Sequence, residues 1–170
     1  MLLDKFSLLG RTALITGAGK GIGAGIVRAF AEMGADVICV ARSQNDIDKI
    51  AEEARNMGVK AYAYACDVTD EEALKNLAES IQSDIGKLDI LVNNAGFGFT
   101  PGDKESVQRV NEVPFKQMAE QQAGGPIETH LDLTVAMSDE DWQRMIGVHL
   151  NGTFYCSREA LKIMNPQLSG

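Results

Sequence analysis

The chain reads as an α/β protein built on a doubly wound parallel sheet, and three observations predict it. Four near-continuous apolar runs, Ala13–Thr16, Asp36–Val40, Ala61–Cys66 and Leu88–Val92, recur at a steady interval. Such runs suit strands covered on both faces, where neither side needs polar residues for solvent. Helical apolar patterns alternate with them, which implies right-handed crossovers between parallel strands. A glycine-rich turn, Thr16-Gly17-Ala18-Gly19-Lys20-Gly21-Ile22-Gly23, joins the first run to the first helical pattern. Four strands connected in this way lie in the order 3-2-1-4.

The helices have legible ends. Ile22 to Met33 carries apolar residues at 22, 26, 27, 30 and 33 and stops at Gly34. Asp46 to Met57 closes on Gly58, and Thr69 with Glu72 offers a capping box for a helix reaching Ile85 before Gly86. Ser138 with Asp141 is a weaker box, ahead of a helical stretch to about Met164, and Pro166 lacks the N–H for easy continuation. The segment 97–137 breaks the rhythm, since connections in such folds run to about 2–6 residues. Within it Val107, Val110, Val113 (or Pro114) and Met118 recur near helical spacing, until Gly124-Gly125-Pro126 interrupts them. It leaves the carboxyl end of a strand, so it is expected to be an insertion over the ligand crevice of a single domain spanning 1–170.

Composition narrows the partners. The chain has 170 residues, 45% of them hydrophobic and 24% charged, with a formal net charge of −8. An acidic balance disfavours a nucleic-acid backbone or an anionic membrane. Cys39, Cys66 and Cys156 lie far apart with no metal-ligand spacing, and Cys39 and Cys66 sit in apolar runs as small hydrophobes. Met1-Leu2-Leu3-Asp4-Lys5 shows no basic start with an apolar region behind it, and no run reaches the roughly 20 apolar residues of a membrane span. A cytoplasmic location is the expectation.

The glycine turn carries the chemistry. Glycines at 17, 21 and 23 let the backbone turn tightly and approach a ligand, and the helix that follows aims free N–H groups at the same place. A diphosphate suits that corner. The cofactor-binding candidates here are Gly17, Gly19, Lys20, Gly21, Ile22 and Gly23. Taken alone, the corner also admits a methyltransferase or another nucleotide-binding half-sheet.

Further motifs stand in order: Asp67-Val68 after the third run, Asn93-Asn94-Ala95-Gly96 after the fourth, then Trp142 and Gly152-Thr153-Phe154. Together with the glycine turn they resemble the short-chain dehydrogenase/reductase family, whose Rossmann-like fold agrees with the strand order above. The resemblance covers nearly the whole chain except the insertion, and it adds Asp67, Val68, Asn94, Ala95 and Gly96 to the cofactor residues.

Cofactor choice is read from charge. An NAD site places a carboxylate at the end of the second strand, to accept from the ribose hydroxyls. Here that end reads Val40-Ala41-Arg42-Ser43 with no acid. The Arg42 fork suits a 2′-phosphate, with Ser43 beside it and Lys20 within reach from the glycine loop. NADP is therefore favoured over NAD, as basic residues at these two places imply within the family.

What the resemblance implies about the reaction is hydride transfer between a nicotinamide and a carbonyl or alcohol carbon, of 3-oxoacyl, hydroxysteroid or sugar-like type. The family's Tyr acid/base, a Lys four residues on and a Ser are expected beyond the fourth strand and its following helix. The chain has no Tyr-x-x-x-Lys: Tyr62 is followed four on by Cys66, Tyr64 by Val68 and Tyr155 by Glu159. The family's Asn position falls on His149, the one catalytic candidate present. The chain is thus expected to be incomplete at its C-terminus, binding cofactor without catalysing alone. A small-molecule substrate and a homo-oligomer are implied for the parent protein. A non-catalytic dinucleotide-binding or interaction module is the alternative.

Overall fold

The computed structural model describes residues 6–98, 104–130 and 133–168. Of the sequence expectations, the reading of Met1–Lys5 and parts of the insertion (99–103, 131 and 132) lie outside the described residues. Strands β1 (Thr12–Thr16), β2 (Asp36–Ala41), β3 (Ala61–Ala65) and β4 (Ile90–Val92) form one sheet in the order β3-β2-β1-β4. All pairings are parallel, with Leu14 opposite Ile38 on one side and Leu91 on the other. The α/β fold and its 3-2-1-4 order stand as read from the sequence.

Alternation along the strands splits the core in two. Ala13, Ile15, Val37 and Cys39 face α1 (Gly21–Glu32) and α2 (Gln44–Asn56), packing on Val27, Ala31, Ile47 and Ala54. Leu14, Ile38 and Val40 face α3 (Glu71–Asp84) and α7 (Thr153–Gln167), packing on Leu77, Ile81, Cys156 and Ile163. Helices on both faces explain why these strands read as unbroken apolar runs.

Local details depart from the sequence reading. The α3 cap is Asp70, whose side chain accepts the Glu72 and Ala73 N–H groups, not Thr69. Thr69 is committed to Asp67 instead. β4 begins at Ile90 rather than Leu88, because both backbone groups of Leu88 are held by the Gln167 side-chain amide. Asp89, buried just before β4, accepts the Thr12 N–H at 2.8 Å and pairs with Arg11 and Lys87. Burial would raise its pKa, but those hydrogen bonds outweigh it and hold the carboxyl below its usual range.

The chain divides into two compact units, Met1–Gly96 with Gly147–Gly170, and Phe97–Ile146. The second holds α4 (Lys104–Gln122), the short α5 (Leu133–Ala136) and α6 (Asp139–Ile146). The helical spacing noticed at 107–118 is therefore a long helix that runs through Pro114. Glu120 accepts the N–H groups of Glu128 and Thr129, fastening the returning segment to α4. Ser138 caps α6 through the Asp141 N–H at 3.0 Å, as its spacing implied. The single helix expected from 138 to 164 is instead α6, a π-helical turn over Gly147–Gly152, and α7, whose last turn includes Pro166.

Candidate functional site

The carboxyl ends of the strands bring the cofactor candidates to one edge of the first unit. The glycines there do different work. Gly17 (φ 65°) and Gly21 (φ 57°) occupy the left-handed region. A Cβ on Gly17 would lie 2.9 Å from Ala95 Cα, one on Gly19 2.9 Å from Asp46 Cβ, and one on Gly23 would overlap the Gly17 carbonyl. These three let the turn close on its surroundings. A Cβ on Gly21 would meet nothing within 4 Å, so this glycine faces open space. Open space at a left-handed glycine before a helix N-terminus fits the approach of a diphosphate.

The amides of α1 support the same reading. No side chain caps its N-terminus and no acid stands in its first turn, in contrast to α3 with Asp70. Its first N–H groups stay available to an anion. Ile22 beside them is 78% exposed. Lys20 and Arg42 are exposed cations with no ion-pair partner among the described residues. Ser43 caps α2 through its carbonyl, which accepts from the Asp46 and Ile47 N–H groups.

Asp67 lies past β3, its Oδ1 accepting the Thr69 N–H at 3.0 Å and hydroxyl at 2.8 Å. Val68 is buried, and Gly152 packs so closely on it that a Cβ there would sit 2.8 Å from Val68 Cγ2. After β4, Asn93 Nδ2 donates to Ser157 Oγ at 3.0 Å. Asn94 Nδ2 donates to the Thr16 carbonyl at 2.9 Å and more weakly to the Gly17 carbonyl at 3.4 Å. The Thr16 hydroxyl accepts the Asn94 and Ala95 N–H groups at 3.0 Å each and donates to the Val92 carbonyl. Thr16 is a structural residue of the site that motif reading missed. Its signal is a lone hydroxyl ending an apolar strand, buried and so in need of partners.

His149 sits on the π-helical turn, its imidazole against Gly96: a Cβ on Gly96 would lie 2.6 Å from His149 Cε1. None of the three tyrosines has a lysine four residues on. Tyr64 is pushed up by burial and by its hydrogen bond to Asp84, and Tyr155 by its bond to Glu71. Both shifts run opposite to what a phenolic acid/base at neutral pH requires. Burial also raises the thiols, Cys39 and Cys156 to about 12 and Cys66 to about 11, and all three are free. An apolar cleft opens among Leu14, Leu74, Leu91, Cys156 and Ile163. It lies between the sheet and the helices α3 and α7, reaching Thr16 at the end of β1.

The profile of the family described as short chain dehydrogenase matches residues 11–170. A sorbose reductase of Candida albicans is 31% identical over 169 residues, covering 99% of this chain and 50% of its own. Among solved structures, a gluconate 5-dehydrogenase of Burkholderia cenocepacia in complex with NADP and tartrate aligns with a TM-score of 0.74 at 27% identity, over 98% of this chain and 53% of its own. An NAD+-bound xylitol dehydrogenase aligns with a TM-score of 0.73 at 26% identity, over 95% and 51%. The chain spans about half the length of these relatives. With this match over residues 11–170 and the parallel β3-β2-β1-β4 sheet, the chain belongs to the short-chain dehydrogenase family.

Proposed function

We propose that this chain forms the dinucleotide-binding half of an NADP-dependent oxidoreductase, the whole protein moving hydride between nicotinamide and a carbonyl or alcohol carbon. The observation that carries it is the open space at Gly21 beside the uncapped amides of α1. The diphosphate would sit there, with Arg42, Ser43 and Lys20 at the 2′-phosphate, Asp67 and Val68 at the adenine, and Asn94 to Gly96 along the path to the nicotinamide. The lack of a carboxylate at the end of β2 supports NADP, because an acid there would repel the 2′-phosphate. Solved relatives are found with either cofactor, and the charge of Arg42 and Lys20 supports NADP for this chain.

His149 takes the family's Asn position and would order substrate or water beside Gly96. The proton-transfer residues belong to the remainder of the whole protein. The substrate we propose is a small carbonyl or alcohol compound, since relatives aligned over nearly the whole chain are named for sorbose, xylitol and gluconate and also for 3-oxoacyl and hydroxysteroid substrates. The segment 97–137 follows β4 in the chain, which is the reason to assign it a part in enclosing substrate. Phe154 and Leu161, seven residues apart on α7 and both exposed, support a homo-oligomer. No described helix is long and apolar enough to cross a membrane.

Titration of the protein with NADPH and NADH by fluorescence tests the reading. Tighter binding of NADPH is the expected outcome, and failure to bind either cofactor would overturn it.

A further inference from the structure

β3 is an edge strand, and its outward backbone groups are answered by a side chain. The Val37 N–H bonds the Lys60 carbonyl and the Cys66 N–H bonds the Ala41 carbonyl, so residues 60 and 66 point toward β2. By alternation Ala61, Ala63 and Ala65 point outward. Gln44, the first residue of α2, meets two of them. Its Oε1 accepts the Ala65 N–H at 3.2 Å, and its Nε2 donates to the Ala63 carbonyl at a long 3.5 Å. The same Nε2 donates to Asp48 Oδ1 at 2.8 Å, which fixes the amide's orientation.

The position of this amide in the chain gives it a consequence. Arg42 and Ser43 immediately precede Gln44, and Asp67 and Val68 follow Ala65 by two and three residues. The turn with the basic side chain and the turn with the adenine wall are thus joined through one amide. We infer that Gln44 is a positioning residue, which holds the β2–α2 turn against the end of β3 and so aims Arg42 at the 2′-phosphate. This rests on the dinucleotide reading above. Gln44 touches no cofactor atom in this scheme; it acts through Arg42.

The test uses Gln44→Met, which keeps the length of the side chain and removes the amide. Calorimetry would compare adenosine 2′,5′-bisphosphate with adenosine 5′-diphosphate, in wild type, Gln44→Met, Arg42→Ala and the double variant. Loss of one such hydrogen bond weakens an aim by about fivefold. Gln44→Met is therefore expected to lower affinity for the bisphosphate by that factor and for the diphosphate by less than twofold. In the Arg42→Ala background it should change the ratio no further.

A residue that merely stabilised α2 would lower both affinities together, and that result overturns the inference. Additive effects with Arg42→Ala overturn it as well. Wild-type protein that binds neither ligand overturns the dinucleotide reading and this one with it, whereas binding with an unchanged ratio in Gln44→Met overturns only this one. Hydrogen exchange provides a readout without ligand. The Ala65 amide should exchange faster in Gln44→Met, and an unchanged rate removes the tie itself.

Discussion

Asn94 binds the end of β4 to the end of β1, its side-chain amide donating to the Thr16 carbonyl at 2.9 Å while the Thr16 hydroxyl accepts the Asn94 N–H at 3.0 Å. This reciprocal pair closes the gap between two parallel strands just where their ladder ends. It also sets the height of the Gly17 carbonyl, on which α1 packs through Gly23. The glycine corner is therefore fixed by a part-buried polar contact rather than by the glycines alone.

Thr16→Val keeps the shape of the side chain and removes the hydroxyl. The Ala95 N–H loses its acceptor, and the Asn94 N–H keeps only the Val92 carbonyl at 3.1 Å. The expected cost is about 1–3 kcal/mol. Urea unfolding would measure it, and a midpoint equal to wild type would show the contact to be dispensable.

Gly21 and Gly23 should respond in opposite ways to a methyl group. Gly23→Ala drives a Cβ into the Gly17 carbonyl, so stability and NADPH binding should fall together. Gly21→Ala meets no atom, leaving only backbone strain of about 1 kcal/mol. Gly21→Val adds bulk to the diphosphate space and should abolish NADPH binding in protein that still melts cooperatively. Calorimetric melting beside an NADPH titration separates the three variants.

Arg42→Asp should reverse cofactor preference. It removes a cation from the 2′-phosphate and supplies the carboxylate that a ribose hydroxyl prefers. NADPH affinity should drop at least about tenfold while NADH affinity rises, since one lost charge-assisted contact contributes roughly 1.5–3 kcal/mol. An unchanged ratio in paired titrations would remove Arg42 from the site.

Asp89 makes stability depend on acidity. Its folded pKa lies below its unfolded value, so the charged form is favoured by folding. The contribution is fully present above the unfolded value of about 3.9 and is lost as pH falls through the lower folded value. Asp89→Asn should cost about 1–2 kcal/mol at neutral pH, a figure reduced because Arg11 and Lys87 are partly exposed. Denaturation curves of the two proteins should converge toward the acid end of that window. A gap that persists at the lowest pH would refute the charge argument.

The three thiols should be slow to alkylate. Burial raises Cys39, Cys66 and Cys156 far above neutral pH, so little thiolate is present. Labelling with iodoacetamide at pH 8 should be negligible in the native protein and complete in urea. Rapid native labelling of any one would place it outside the core.

Much of the fold was legible because it is dictated by nearby residues. Apolar runs specify strands covered on both sides, and Gly34, Gly58 and Gly86 stop the helices through their own backbones. The glycine turn and the bare acid-free end of β2 were legible for the same reason. The cap of α3 was misread by one position, because Thr69 and Asp70 are both able caps and Asp67 claims Thr69.

What lies far apart in sequence was decided only by the tertiary structure. β4 starts late because of Gln167, 79 residues from Leu88. The π-helical turn forms where Gly152 comes against Val68 and His149 against Gly96. Thr16 and Gln44 acquired their roles from partners on other strands. Local steric and solvation preferences act within a few residues, so composition and spacing could declare them. A hydrogen bond across the sheet exists only once folding has brought its two ends together, and no spacing along the chain encodes that distance.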